Sequence, residues 1–549
     1  MRVYTKKSLS LLTFILIFAG ILILVNILSQ GIWGRLDFTQ DEVYSLTDAT
    51  RDVLAEMDDE VEIRAYFSRD LPAHLGSTVT YVKDQLEDYQ AYSHGNIKFS
   101  ILDPAAEKAV EEEATGMGCP PLTLQQMSSD QYATKKVFMC IAFMFEDKKE
   151  LIPAVRGTTG LEYEITSIIK KLTTRELKQI GVLQGHGEPG LMQNPYGQKP
   201  QGPMLNNLRQ QLSRSYKVEG IDTTAEDAWD KLKDMSSLLV ISPQEPLKER
   251  DLYLIDQFIM SGKTVAFMID KISTNLQQFQ AQERKVGIEP LLGHYGATLN
   301  SDLVLDKFNQ PISVQQQAGN IRYNTRMPYP YFPMLGNFRD NNGLNMESNI
   351  VQKLEMVTAP FISTLNLKQG LSDRTSTWLA RSSAMSWKQS GYFTINPTQI
   401  APAPEGGEMG PFTVAGTITG MFPSYFEAKA GESMEYTKGE PTIVRSPETR
   451  IFVMGNGTMA TDQFLDGNNM NFLQNVVDWL VQDEALISIR SRGFVPQPLD
   501  PNLSANTKAV IKFGNILGVP LLFILFGVVL WQLRSARRRR LASTFFDKR

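Results

Sequence analysis

Gln179-Ile-Gly-Val-Leu-Gln184, followed by Gly185-His186-Gly187-Glu188-Pro189-Gly190, is the stretch on which the fold of this 549-residue chain turns. An apolar middle and then three glycines in six positions spell a short buried strand that ends in a tight loop. The pattern repeats downstream. A helical stretch at 204–214 precedes the apolar run Ser237 to Ser242, a helix over Leu247 to Met260 follows, and Thr264 to Asp270 reads as another strand. Strands apolar on both faces, alternating with helices, predict a parallel sheet covered on both sides, an α/β domain. Such sheets bind ligands beyond the carboxyl ends of their strands. Those ends carry Gly185, His186, Gly187 and Glu188, then Ser242-Pro243-Gln244, then Asp270; the first four and Asp270 are the candidate ligand or partner contacts.

Working towards the N-terminus, Val61 to Phe67 alternates as a strand, and Tyr81 to Ala91 has helical spacing. Ile97 to Leu102 is a strand, Ala105 to Ala114 a helix, and Pro120-Pro121 leads to strands at 137–145 and 150–155, then a helix over Leu161 to Leu172. This is the element order of a thioredoxin-like domain, expected at 61–176. Where a redox dithiol would stand the chain reads Ser68-Arg69-Asp70-Leu71-Pro72, so the domain is expected to be a scaffold or docking module. Residues 35–60 form a stalk, with Thr47 or Asp48 capping a helix from Ala49 to Glu56.

Working towards the C-terminus, the block at about 308–447 is rich in Pro, Gly, Asn and Gln and reads as insertions within a domain of 177–495, with strands at Thr375 to Ala380 and Phe412 to Ile418. A strand from Arg450 and a helix from Asn469 to Val481 resume the alternation and are expected to close the earlier sheet. Residues 496–512 read as a linker.

Two apolar runs flank this body. Phe513 to Leu533 is charge-free, long enough at about 1.5 Å per residue for the roughly 30 Å hydrocarbon core, and followed by Arg534 and Arg537 to Arg540. The other has its apolar core at Leu11 to Leu28, behind Arg2, Lys6 and Lys7. Basic outer flanks predict that both termini, 1–34 with its span and the tail 534–549, point to the cytoplasm. The body then lies outside it, which in a bacterium means an inner-membrane protein with a periplasmic domain. Pro520 and Gly518 inside the second span suit a helix that packs against a membrane partner.

The chain carries a formal charge of −5 although its two tails are basic, so the body is acidic, which argues against nucleic acid as its ligand. Cys119 and Cys140 are the only cysteines; they exclude a disulfide scaffold and a Cys-rich metal site, and either a bond or two free thiols fits the sequence. Ser261-Gly262-Lys263-Thr264 imitates the end of a phosphate-binding loop, but Gln257 stands where that motif needs glycine, and a helix here runs into a strand. His186 and Glu188 form the best polar pair, able in principle to serve a membrane-tethered hydrolase, yet their loop holds no Ser or Cys nucleophile, and the other histidines, His74, His94 and His294, are scattered. The sequence therefore assigns no catalytic residue, cofactor or metal. Glu162 and Glu164 read as a solvated helix face, and Tyr329, Tyr331 and Phe332 either as exposed rings able to stack on the sugars of a glycan in a glycan- or peptide-binding module or, equally, as rings that pack a loop.

Several short segments carry a family resemblance: Arg35-Leu-Asp-Phe-Thr39 with Tyr44-Ser-Leu-Thr47, Leu161-Glu-Tyr-Glu-Ile-Thr166, Gly181-Val-Leu-Gln-Gly-His-Gly-Glu188, Leu252 to Asp270, Asn475-Val-Val-Asp-Trp-Leu480 and Ile487-Ser-Ile-Arg490. The chain resembles the auxiliary, membrane-anchored subunits of ABC transporters, the gliding-motility GldG-like family. That resemblance implies a flavodoxin-like, class I amidotransferase-like domain without Cys-His catalysis. It also implies an ABC permease, met through the spans Leu11 to Leu28 and Phe513 to Leu533, a separate cytoplasmic ATPase, and envelope glycan or protein cargo.

Overall fold

The computed structural model describes residues 17–18, 20–21, 45–69, 71, 73–128, 131–155, 157–158, 160–174, 177–191, 202–318, 321–338, 341–352, 354–429, 432, 435–482, 487, 489 and 505–546. Residues 1–493 form one compact unit and residues 494–549 another. The span expected at 11–28 lies almost wholly outside the described residues.

In the first part of the larger unit, helix α1 (Asp48–Ala55) starts at Thr47, whose hydroxyl accepts from the amide of Thr50 at 3.1 Å. Strands β1 (Val61–Phe67) and β2 (Ile97–Leu102) are parallel neighbours joined through α2 (Ala73–Tyr92). After α3 (Lys108–Met117) come the hairpin of β3 (Leu122–Ser128) and β4 (Gln131–Val137), then β5 (Met139–Phe145), β6 (Lys148–Ile152) and α4 (Leu161–Thr173). The sheet runs β2-β1-β5-β6, with β5 antiparallel to both neighbours. Period-two alternation splits its side chains. Ile63, Ile141 and Phe143 pack under α2 and α4 with Val82, Leu86, Ile165 and Ile169, while Tyr66, Cys140 and Ala142 meet Ala114 of α3 on the other face. Cys119, just past the left-handed cap Gly118, is bonded to Cys140 of β5, with their Cα atoms 5.7 Å apart.

Three expectations are corrected here. The second helix begins at Lys108 rather than Ala105, because the Asp103 carboxylate takes the Ala105 amide at 3.0 Å and holds a turn. The β3–β4 hairpin occupies what reads as loop. Glu162 is no solvated residue: one carboxylate oxygen accepts from the amide and hydroxyl of Thr47, both at 2.8 Å, and from the hydroxyl of Thr50 at 2.7 Å, pinning α1 to α4.

The second part is built on seven strands: β7 (Gln179–Gln184), β8 (Lys217–Asp222), β9 (Ser237–Ile241), β10 (Thr264–Met268), β11 (Arg374–Arg381), β12 (Thr413–Pro423) and β13 (Arg445–Met454). Their order is β11-β12-β13-β10-β9-β7-β8. The five from β13 to β8 are parallel, and β12 and β11 extend them antiparallel. Thus the sheet is mixed, not purely parallel, and β13 joins it next to β10 with two strands of the 308–447 block beyond it. Helices α5 (Asn206–Leu212) and α9 (Gly467–Leu480) cover one face; α6 (Ala228–Leu232), α7 (Glu249–Met260) and α8 (Glu289–Tyr295) cover the other. Alternate residues divide between the two cores: Val182, Leu239, Ala266 and Phe452 meet Leu208 and Phe472, whereas Leu183, Leu238, Val265 and Ile451 meet Trp229, Leu254 and Phe258. Burial on both faces is why these strands read as continuous apolar runs.

The aromatic cluster of the 308–447 block is core rather than surface. Tyr329 and Tyr331 are 1% and 0% exposed, and their hydroxyls donate to the carbonyls of Ile395 at 2.5 Å and Thr394 at 2.6 Å. No sugar reaches these rings. In the smaller unit, α10 (Ala505–Phe546) runs unbroken through Pro520 and starts eight residues before the apolar run, inside the stretch read as linker. Its segment Thr507–Arg537 is, among the described residues, the one helix long and apolar enough to cross a membrane.

Candidate functional site

In the parallel part of the sheet the chain starts at β7, steps outward to β8, and returns to β9 on the other side of β7. The carboxyl ends of β7 and β9 therefore diverge, and a crevice opens between the connections that leave them. The loop after β7 is shaped by its glycines. Gly185 (φ 108°) and Gly187 (φ 74°) lie in the left-handed region, and a Cβ on Gly185 would run into the Asp222 carboxylate at the end of β8.

His186, between them, is 3% exposed. Its carbonyl accepts from the amides of Gln244 at 2.8 Å and Glu245 at 2.9 Å, which ties the β7 loop to the β9 loop. Its own amide donates to Glu188 at 2.7 Å. Nε2 lies 3.1 Å from an Asp251 carboxylate oxygen, and Nδ1 lies 3.4 Å from Glu188. Asp251 also takes the Lys248 amide at 2.8 Å, completing the cap of α7. Held between Asp251 and Glu188, the imidazole is pushed up to about 9 despite the opposing effect of burial, so it is an imidazolium at neutral pH. Nε2 is spent on Asp251, and Nδ1 faces Glu188 without completing a hydrogen bond.

Asp270, past β10, joins three strand ends. One oxygen accepts from the amides of Gly457 at 2.8 Å and Thr458 at 3.2 Å and from the Asn456 side chain at 3.4 Å. The other accepts from the Thr458 hydroxyl at 2.9 Å and from the Ser242 hydroxyl. Ser242 itself has φ 50°, a left-handed conformation uncommon outside glycine, at the tip of β9. Gly457 is required here, since a Cβ would meet the Met268 carbonyl at 2.5 Å and Ser242 at 2.8 Å.

Beyond these ends lies an open groove of about 1300 Å³, walled by Ser242, Gln244, Asp270 and Thr458 on the sheet side and by a hairpin, Ile272–Asn275 with Gln280–Glu283, on the other. Of the candidate residues, the structure brings Asp270 to this groove. Gly185, His186, Gly187 and Glu188 stand behind it and shape the Gln244 loop. Burial pulls the Arg284 guanidinium, also on the groove, below its usual range, and the charge of Asp270 opposes that pull.

Residues 177–483, more than half of the chain, match the profile of the ABC-type uncharacterized transport system family, an ABC transporter auxiliary family. The chain belongs to this family. In this ABC transport auxiliary protein the match spans the whole seven-stranded sheet, and residues 40–144 match a domain of unknown function. An uncharacterized protein of Borreliella burgdorferi is 22% identical over 521 residues, covering 92% of this chain and 94% of its own length. Among solved structures, the mmIFT52 N-terminal domain gives a TM-score of 0.33 at 15% identity, covering 55% of this chain and 97% of that domain. A thua-like protein from Bacteroides uniformis gives 0.25 at 12% identity, covering 55% and 91%.

Sequence reasoning placed Ser242 at a strand end beside Asp270 but missed Asp251, Thr458 and Arg284. Asp251 had a local signal, an acid in the first turn of a helix. The other two had none: Thr458 meets Asp270 from 188 residues away, and Arg284 reads as an ordinary surface charge.

Proposed function

We propose that this ABC transport auxiliary protein is a non-enzymatic, membrane-anchored subunit that pairs with a permease and a separate cytoplasmic ATPase and presents its body outside the cytoplasm, in the GldG-like manner. The family match over 177–483 carries the reading. The apolar helix at Thr507–Arg537 and its arginine cluster support an anchor with a cytoplasmic C-terminus, and the Cys119–Cys140 bond suits an oxidising compartment. We read 61–176 as a thioredoxin-like docking module, from the order β2-β1-β5-β6, and 177–495 as flavodoxin-like, from five parallel strands in the order second, first, third, fourth, fifth. The non-enzymatic assignment rests on His186: buried and charged between two carboxylates, it serves to pin loops rather than to exchange protons with a substrate.

Affinity purification of the tagged full-length chain from native membranes in mild detergent, followed by mass spectrometry, tests the proposal. A permease and an ATPase are expected in fixed ratio to the chain; a chain that emerges alone overturns it.

A further inference from the structure

The geometry points to the groove beyond the strand ends as a binding site for a neutral oligosaccharide, held by a face of side-chain amides and by the ring of Tyr392. This rests on the reading of the body as lying outside the cytoplasm and names the chemical class of the ligand it meets there.

The hairpin that forms the outer wall has the register Ser273 opposite Gln282 and Asn275 opposite Gln280, and a third short strand places Thr394 opposite Gln280. Directly opposed residues share a face, so these five side chains stand together. The other face carries Ile272 and Ala281, which pack into the cluster of Leu303, Tyr329 and Trp387. The hydroxyl and amide face is thereby turned away from the core towards the groove, and exposed Gln463 lines the groove as well, whereas the Gln244 amide nitrogen is spent on Ser242.

Each amide offers an acceptor oxygen and two donor hydrogens, and each sugar hydroxyl both donates and accepts. Two of the groove's charges, Asp270 and Asp462, are engaged within the protein through both oxygens, and Glu283 and Arg284 through one polar atom each. Asp270 is occupied as described, Asp462 accepts from the Asn206 side chain at 3.0 Å and the Asn207 amide at 2.9 Å, Arg284 donates to Ser273 at 2.8 Å, and Glu283 accepts from Ser301 at 2.6 Å. Glu283 and Arg284 leave one charge of each sign, so the surplus left to a ligand is the neutral amides of Gln280, Gln282 and Gln463.

Tyr392 supplies the complementary apolar surface. It follows Gly391 (φ 83°) in a tight turn, its carbonyl is held by Gln389 at 3.1 Å, and its side chain stands 84% exposed on the groove wall. A flat ring beside a field of amides suits the apolar face of a pyranose. At about 1300 Å³ the groove exceeds the roughly 300–1,000 Å³ of a single small-molecule site, which favours an oligomer over a monosaccharide.

The test uses the full-length chain in mild detergent, screened against an array of neutral glucan, mannan and chitin oligomers, with monosaccharides, acidic glycans and short peptides alongside, and hits quantified by calorimetry. At least one neutral oligomer is expected to bind, and Tyr392→Ala and the double variant Gln280→Ala/Gln282→Ala are each expected to weaken it by about tenfold or more. Thermal midpoints should stay unchanged, since all three side chains are exposed. Failure of every neutral oligomer to bind at millimolar concentration, binding confined to peptides or acidic glycans, or affinity untouched by both variants overturns the inference. Co-purification of permease and ATPase with the wild-type chain tests the subunit reading separately: a wild-type chain that keeps its partners but binds no neutral oligomer defeats the ligand alone, and one that binds the sugar but emerges without partners defeats the subunit alone.

Discussion

His186 stands on a glycine-rich loop and is nevertheless buried. Glycines around a histidine suggest access, but here they serve left-handed turns and a close approach to Asp222, while the ring is locked to Asp251, 65 residues away. Its imidazole is raised from the ordinary 6.5 to about 9 by the hydrogen bond to Asp251 first and by the Glu188 carboxylate beside Nδ1. A group raised on folding stabilises fully below its unfolded value and loses that contribution as pH climbs through the folded one. The stability advantage of wild type over His186→Gln is therefore expected to be about 2–3 kcal/mol near pH 6 and to vanish as pH rises past about 9, measured by urea unfolding across pH. An advantage that does not change with pH would remove the imidazolium from the account. Asp270 predicts a different loss. Asp270→Ala leaves the Ser242 hydroxyl and the Gly457 and Thr458 amides without their acceptor, at about 1–3 kcal/mol for each buried donor left unmade, so a fall of about 3 kcal/mol or more is expected from the same unfolding curves.

Elements with a strong apolar period were legible and edge elements were not. The buried strands Ser237–Ile241 and Thr264–Met268 announce themselves because every residue is core. Lys217–Asp222 escaped notice: it is the outermost strand, and in Lys-Val-Glu-Gly-Ile-Asp only Ile221 is fully buried, so polar residues mask the period. The Cys119–Cys140 bond likewise belongs to this scale, since it ties the end of α3 to β5 across a sequence separation of 21. A loop of that length gains about 3 kcal/mol from cross-linking. Reduction with dithiothreitol is expected to lower the unfolding free energy of the wild type by that amount and to leave Cys119→Ser/Cys140→Ser unchanged. An equal response of both proteins to the reductant refutes the bond.

At the scale of the whole molecule, the proposed topology makes a further prediction. A fluorescent protein fused after Arg549 should fold and glow in the cytoplasm and resist protease added to spheroplasts, while the body is digested; the reverse pattern overturns the topology. Charge-free length and flanking arginines determine a membrane segment locally, because lipid solvation acts on each residue of a helix independently of distant ones. The apolar helix near the C-terminus and the strand-helix alternation of the body were readable from the chain alone for that reason. Tertiary structure alone decided the rest. It inserted β13 beside β10 and carried β11 and β12, from a block that reads as irregular insertions, into the central sheet. It buried Tyr329 and Tyr331 and exposed Tyr392, and it turned a glutamine-bearing hairpin into a groove wall. Strand order, burial and the facing of amides depend on partners that meet only when residues more than a hundred positions apart pack together, and no local pattern records that meeting.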